Sequence, residues 1–184
     1  GFGRAIAQKY ALNGDKVIIH YHSGNGPEFA EELGGFSIKA DLSNKEDICQ
    51  MFKLIKEKYG KIDVVVNNAS PKTSPYRFED TPWEEYERIF NVIIKGSEMV
   101  CREAVHLMDG GSIINILTSY VHGIPPTKLV PYITMKYALK GFSKALASEL
   151  ISKKIRVNMV SPGFSQTPFT SHLPPKLFEL EAYK

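Results

Sequence analysis

Apolar segments of strand length alternate strictly with amphipathic segments of helix length along this chain of 184 residues. The predicted strands cover residues 16–21, 36–40, 62–66, 112–117 and 155–160, and the predicted helices cover residues 4–12, 28–33, 44–59, 81–108 and 132–152. Strict alternation of this kind is typical of a parallel sheet with helices on both faces. We therefore expect an α/β fold with a doubly wound parallel sheet, in one domain that covers residues 1–184.

Local signals refine three of these elements. The Ser-x-x-Glu spacing of residues 43–46 is a capping box and predicts a helix start there. Residues 81–84 (Thr-Pro-Trp-Glu) form a second box with proline at the first helical position, which predicts one long helix to about Met108. The run Val64-Val65-Val66 predicts a strand that is buried on both faces.

Composition narrows the class of protein. The 23 basic and 20 acidic residues are dispersed and leave a net charge of +3, which does not favour nucleic-acid binding. No apolar run approaches the roughly 18 residues of a membrane span. Cys49 and Cys101 lack the spacing of a metal site, and we interpret both as core residues in a reducing, cytoplasmic compartment.

In doubly wound folds, ligands bind beyond the carboxyl ends of the strands, and glycine-rich turns lie at helix starts. Gly1 and Gly3 precede the first predicted helix, where free N–H groups and the positive end of the helix dipole favour a pyrophosphate. An ordinary glycine turn is the alternative for an isolated motif of this kind. Asn67 and Asn68 follow the third predicted strand, and a simple turn is the alternative for them.

Tyr132 and Lys136 are four residues apart on a predicted helix, so they share one face. An ammonium beside a phenol favours the phenolate, so we expect Lys136 to lower the pKa of Tyr132 toward the working pH of a general acid/base. A hydroxyl on the preceding strand end, Ser119, can bind a substrate oxygen. The alternative is a solvated lysine beside a partly buried tyrosine.

Taken together, these segments resemble the short-chain dehydrogenase/reductase family. The motifs occur in the family's order: the tail of a glycine-rich loop (Gly1, Gly3), an Asp-Leu pair (Asp41, Leu42), an Asn-Asn-Ala-Gly-like turn (residues 67–70), a helical Asn (Asn91), a hydroxyl-bearing strand end, a Tyr-x-x-x-Lys pair (Tyr132, Lys136) and a Pro-Gly-x-x-x-Thr segment (residues 162–167). Within the family, the sequence is most similar to 3-oxoacyl-carrier-protein reductases. The resemblance implies a Rossmann-type fold.

The resemblance also implies roles for the matching residues. The catalytic set would be Tyr132 as general acid/base, Lys136 on the nicotinamide ribose, Ser119 on the substrate carbonyl and Asn91 as anchor of a proton-relay water. The remaining cofactor contacts implied by the motifs are Gly1, Gly3, Asp41, Leu42, Asn67, Ala69, Pro162, Gly163 and Thr167.

Three departures from the family pattern matter. Ser70 replaces the last glycine of the Asn-Asn-Ala-Gly turn and adds a Cβ there. The register of the catalytic hydroxyl is ambiguous, because the family's spacing before the tyrosine selects Ser119 whereas the spacing after Asn115 selects Thr118. We expect Ser119. The family's first, central strand and its last strand are missing, so we expect the sequence to cover part of a longer protein and to leave two strands unpaired where the first strand would lie.

The strand end at residues 20–23 (His-Tyr-His-Ser) bears on cofactor choice. A site that prefers NAD has a carboxylate there, which binds the ribose 2′-hydroxyl and repels a 2′-phosphate. No acidic residue occurs until Glu28. His22 and Ser23 can donate hydrogen bonds to a phosphate, so we expect NADP rather than NAD.

The sequence thus predicts an NADP(H)-dependent oxidoreductase that acts on a carbonyl or alcohol carbon, with a 3-oxoacyl thioester as one candidate substrate. A catalytically silent nucleotide-binding or scaffolding protein of the same fold is the alternative. We expect substrate contacts from residues 71–76, from residues 121–130 and from the segment after Thr167.

The family pairs its two long helices with those of a second subunit, so we expect a homotetramer or a homodimer. Apolar residues beyond the needs of one sheet face support this expectation: Ile89, Phe90, Val92, Ile93 and Met99 on the first helix, and Leu139, Phe142, Leu146 and Leu150 on the second.

Overall fold

A computed structural model of the protein describes residues 1–163 and residue 165. In this part of the chain the helices are α1 (Phe2–Leu12), α2 (Gly26–Glu32), α3 (Lys45–Tyr59), α4 (Trp83–Phe90), α5 (Ser97–Val105) and α6 (Val130–Glu149). The strands are β1 (Ile18–Tyr21), β2 (Phe36–Lys39), β3 (Val64–Asn67), β4 (Gly111–Ile116) and β5 (Ile155–Val160). A π-helical segment, Asn91–Gly96, connects α4 to α5.

All strand pairs within residues 1–163 are parallel, which confirms the predicted α/β fold. β1 pairs with β2, and β4 lies between β3 and β5. β1 and β3 are not paired with each other in the described part of the chain. This is the place where the family's central strand, missing from this sequence, was expected to lie.

The helix predicted from residue 81 to Met108 is not continuous. It divides into α4, the π segment and α5, because residues 91–96 adopt the wider π turn. π turns inside α-helices occur frequently at functional sites.

Both predicted capping boxes are wrong in detail. The side chain of Asn44, rather than Ser43, caps α3 by accepting a hydrogen bond from the Asp47 N–H at 3.2 Å. Ser43 donates instead to the Asp41 carboxylate. Thr81 does not cap α4, because its hydroxyl donates to the Arg77 carbonyl at 2.8 Å.

A shared helical layer covers both groups of strands. Ile38 of β2 is buried in one cluster with Phe52 of α3 and with Ala104 of α5. Val65 of β3 packs against the same cluster, so α3 and α5 bridge the gap between the two groups. A second cluster joins Ile89, Ile93, Leu117, Val121 and Leu139 beneath α6.

Burial differs from the sequence prediction at two places. Val64 is 38% exposed, so β3 is not buried on both faces as predicted. Cys101 is in the core as predicted, whereas Cys49 is exposed on α3.

Several apolar residues assigned to a subunit interface lie in the protein's own core. Ile89, Ile93, Leu139 and Leu150 are each at most 6% exposed, because they pack within the clusters around β4 and α6. Phe90 is 43% exposed. In the described residues no helix combines the length and apolarity that crossing a membrane requires.

Gly96 and Gly141 form a matched pair for testing the π segment. A Cβ on Gly96 would lie 2.8 Å from the Leu42 carbonyl oxygen, whereas a Cβ on Gly141 of α6 would meet open space. We expect Gly96→Ala to destabilise the protein by about 1–3 kcal/mol through overpacking. Gly141→Ala should be neutral or stabilise it by up to about 1 kcal/mol. Denaturant unfolding measures both changes, and equal effects would contradict the packing of the π segment on Leu42.

Candidate active site

Tyr132 and Lys136 lie one turn apart on α6, beside the carboxyl end of β4. Lys136 is only 3% exposed, and its ammonium donates a hydrogen bond of 2.7 Å to the Ile116 carbonyl. The Lys136 nitrogen lies 5.6 Å from the centre of the Tyr132 ring. The i, i+4 spacing therefore brings the two side chains to one place, as predicted.

The pKa of Tyr132 differs from the expectation. Burial raises the pKa of Tyr132 to about 12, although a hydrogen bond with the Thr118 side chain acts in the opposite direction. Desolvation is the largest cause, and the hydrogen bond with Thr118, rather than the expected effect of Lys136, is what opposes it. At neutral pH the phenol carries its proton.

Burial acts on Lys136 as well. It lowers the pKa of the ammonium to about 8, because the low-dielectric interior disfavours the charged form. A base with this pKa is mostly protonated at pH 7, and its charge responds to small changes in its surroundings.

Thr118 is the hydroxyl that bonds Tyr132. Its backbone is extended, with φ −153° and ψ 150°, and it continues the direction of β4. The N–H groups of its two neighbours donate to β5 and to the residues after it, Leu117 to Val160 at 2.7 Å and Ser119 to Pro162 at 2.8 Å. These two bonds fix the orientation of Thr118, which is 8% exposed.

Ser119 and Asn91 occupy different settings. Ser119 is half-buried and begins a 3-10 turn, Ser119–Val121. Asn91 is half-buried and begins the π segment. From this segment, Ile93 is the residue buried in the cluster against which Tyr132 packs. The roles expected for Ser119 and Asn91 stay predictions.

The glycine turn at the start of α1 is suited to a pyrophosphate. Gly1 occupies the N-cap position without a side-chain cap, and the first turn of α1 carries no acidic residue. A Cβ on Gly3 would lie 2.7 Å from the Asn68 side-chain nitrogen. The turn thus approaches the loop after β3 closely, and the helix N-terminus can receive a phosphate group.

The residues expected to bind the adenosine half of the cofactor follow β1 and β2. His22 and Ser23 are exposed after β1, and the His22 ring lies 3.9 Å from the Asp41 carboxylate. Hydrogen bonds from Ser43 lower the pKa of Asp41. Leu42 is buried in the cluster under α3. A cavity of about 260 Å³ lies here and is lined in part by His22 and Asp41.

The remaining predicted cofactor contacts fall into two groups. Ala69 is partly buried after β3, and Pro162 and Gly163 follow β5. Thr167 and the expected substrate segment after it lie outside the described residues.

Asn67 has a structural contact that the motif did not predict. Its amide donates to Asn115 on β4 at 2.8 Å, and Asn115 donates to Ser143 on α6 at 2.7 Å. Ser143 in turn donates to the Leu139 carbonyl at 2.6 Å. This buried chain ties β3, β4 and α6 together. The only sequence signal for it was a polar residue, Asn115, inside an apolar strand.

Comparisons with known proteins identify the family of this chain. Residues 1–182 match the family described as Enoyl-(Acyl carrier protein) reductase. An uncharacterized oxidoreductase of Methylorubrum extorquens is 36% identical over 181 residues, which cover 92% of this chain and 71% of that protein. A 3beta-hydroxysteroid dehydrogenase of Mediterraneibacter gnavus is 32% identical over 179 residues, covering 92% of this chain and 64% of that protein.

A solved structure is similar over nearly the whole fold. The 3-ketoacyl-(acyl-carrier-protein) reductase of Brucella melitensis, complexed with NADH, superposes with a TM-score of 0.88 at 30% identity, covering 94% of this chain and 76% of that one. This chain belongs to the short-chain dehydrogenase/reductase family, a class of oxidoreductases that act on CH–OH and C=O groups. It spans about two thirds of the length of the curated relatives it matches.

The buried Lys136 predicts a pH dependence of stability. Between its folded pKa of about 8 and its ordinary value of 10.5, the unfolded chain binds a proton that the folded protein does not. Stability should therefore rise with pH through this window, by up to about 1.4 kcal/mol per pH unit. Lys136→Met should lack this increase. Denaturant unfolding of both proteins between pH 8 and 10, without added cofactor, measures the difference, and parallel curves would contradict it.

Proposed function

We propose that this protein transfers a hydride between the nicotinamide of NADP(H) and a carbonyl or alcohol carbon of a small-molecule substrate. The meeting of Tyr132, Lys136 and Thr118 at the carboxyl end of β4 is the observation that carries the proposal. Ligands of doubly wound sheets bind at this edge. The dehydrogenases and reductases among the relatives support the same reaction class.

The proton chemistry belongs to this chain's own residues. Tyr132 is protonated at neutral pH, so in the direction of reduction its hydroxyl donates a proton to the substrate oxygen. Lys136 stabilises the resulting phenolate through its positive charge. Thr118 orients the same oxygen by a hydrogen bond. The nicotinamide, when bound, supplies or accepts the hydride.

The cofactor is proposed to lie along the strand ends from Gly1 and Gly3 toward His22. The uncapped start of α1 supports pyrophosphate binding at the glycines. The exposed His22 and Ser23 support a preference for the 2′-phosphate of NADP, because both can donate hydrogen bonds to it. The Asp41 carboxylate, 3.9 Å from the His22 ring, acts against this preference.

The substrate is proposed to be an uncharged and mainly apolar carbonyl compound. The expected substrate segments expose the apolar side chains of Tyr76 and Ile124, at 37% and 95%, which favours such a compound over a phosphorylated sugar. A 3-oxoacyl thioester is one candidate, supported by the matched family and by the Brucella melitensis neighbour.

We also propose that the protein is cytoplasmic and self-associates through α4 and α6. Trp83 and Phe90 of α4 and Tyr137 of α6 are 67%, 43% and 47% exposed, which supports an interface on these two helices.

The proposed reaction predicts that the protein oxidises NADPH in preference to NADH in the presence of a suitable ketone. Absorbance at the reduced-nicotinamide band, followed with a panel of 3-oxoacyl thioesters and simple ketones, measures this turnover. Tight NADPH binding without turnover on any member would contradict the proposal and favour a silent nucleotide-binding protein.

Tyr132→Phe is the control variant for this assay. It removes the proton donor and leaves the ring, so turnover should be lost while NADPH binding survives. Lys136→Ala should weaken both turnover and binding. A Tyr132→Phe enzyme with near-normal rate would show that the proton comes from another group.

Thr118 and Ser119 provide a matched pair for the orienting hydroxyl. We expect Thr118→Ala to lower kcat by about 100-fold, as loss of one oxyanion donor does, and Thr118→Ser to recover most of the rate. Ser119→Ala should stay within about twofold of the wild type. The basic limb of the pH–rate profile should also move upward in Thr118→Ala, because the hydrogen bond that lowers the Tyr132 pKa is lost. The reverse ranking of the two alanine variants would assign the role to Ser119.

A further inference from the structure

Glu85 and Arg88 form an ion pair on α4 that the motifs of the sequence do not include. The Arg88 guanidinium donates two hydrogen bonds to the Glu85 carboxylate, at 2.9 and 2.8 Å. The Glu85 side chain is 8% exposed and that of Arg88 is 43% exposed. A carboxylate with this little solvent must be paired, because an unpaired buried charge is strongly destabilising.

Both residues also bind the loop after β3. The Ser74 N–H donates to Glu85 at 3.2 Å, and Arg88 donates to the Lys72 carbonyl at 2.5 Å. The pair therefore binds the backbone of residues 72–74 at two points: Glu85 accepts one hydrogen bond and Arg88 donates the other. The 71–76 loop has no helix or strand of its own, so these bonds constrain the backbone of residues 72–74.

This loop starts beside the candidate active site. Asn67, the last residue of β3, is in register with Asn115 of β4. Thr118 comes shortly after Asn115, just beyond the end of β4. Because parallel strands end at the same edge of a sheet, the loop and the Thr118 segment leave that edge together.

The same helix connects the loop to Tyr132. Glu85 and Ile89 are four residues apart on α4, so they share one face. Ile89 is 1% exposed in the cluster against which Tyr132 packs. The position of the loop is thereby fixed with respect to the proton donor.

We propose that Glu85 and Arg88 are positioning residues that hold the 71–76 loop as one wall of the substrate site, and that this wall selects carbonyl compounds with a large apolar group. The loop offers Pro71, Pro75 and Tyr76, the last 37% exposed, as the apolar surface. A large substrate reaches this surface, and a small ketone does not. The proposal rests on the proposed oxidoreductase function.

The test compares Arg88→Ala with the wild type on a bulky cyclic ketone and on a short-chain ketone. We expect KM for the bulky ketone to rise by about tenfold or more, which corresponds to about 1.4 kcal/mol of lost contact. KM for the short ketone, kcat for the short ketone and the Kd for NADPH should stay within about twofold. Arg88→Lys should show a smaller rise in KM for the bulky ketone than Arg88→Ala, since an ammonium keeps the charge but not the bidentate geometry of a guanidinium.

Arg102→Ala is the matched control, because Arg102 pairs with Glu98 one turn away on α5 in an exposed setting. It should leave both KM values unchanged. Trypsin provides a readout that needs no turnover: the bond after Lys72 should be cut faster in Arg88→Ala. Apart from the site at residue 88, which the substitution removes, sites outside the loop should be cut at the wild-type rate.

The outcomes separate the two proposals. A wild-type protein without turnover on any ketone overturns the proposed function, whatever the trypsin result. With an active wild type, equal changes in KM for both ketones, or wild-type protection of Lys72 in Arg88→Ala, would overturn the role of this pair.

Discussion

The hydrogen-bonded chain from Asn67 through Asn115 to Ser143 is the constraint on which the candidate site depends. Asn115 and Ser143 are completely buried, so each must find its partners inside the protein. Leaving one buried partner unsatisfied costs about 1–3 kcal/mol. These hydrogen bonds therefore set the position of α6 along β4. That position in turn places Tyr132 and Lys136, which lie in the N-terminal half of α6.

Burial then decides the protonation of the site. Tyr132 and Lys136 both favour their neutral forms relative to water, since desolvation is the leading cause of each pKa change. The effect suits a proton donor that must hold its proton at neutral pH. It also leaves Lys136 with a pKa of about 8, close enough to neutrality for bound charges nearby to alter its protonation.

The π segment links this site to the expected adenosine end. Gly96 packs against the Leu42 carbonyl, and Lys95 donates to the Ser43 carbonyl at 3.1 Å. The residues after β2 are thus anchored on the segment that follows α4, the helix that also holds the 71–76 loop. The helical unit from α4 through the π segment consequently contacts two loops, the one after β2 and the one after β3.

The alternation of strands and helices, the parallel pairing and the shared face of Tyr132 and Lys136 were determined by the sequence, because hydrophobic periodicity and i, i+4 spacing are local properties. The choice of Thr118 as the partner of Tyr132 was not, since it depends on hydrogen bonds from the neighbours of Thr118 to β5 and the residues after it, which are distant in sequence. The raised pKa of Tyr132 and the break in the long helix also required the tertiary structure. Both arise from packing against other elements, and packing of distant segments leaves no periodic signal in the chain.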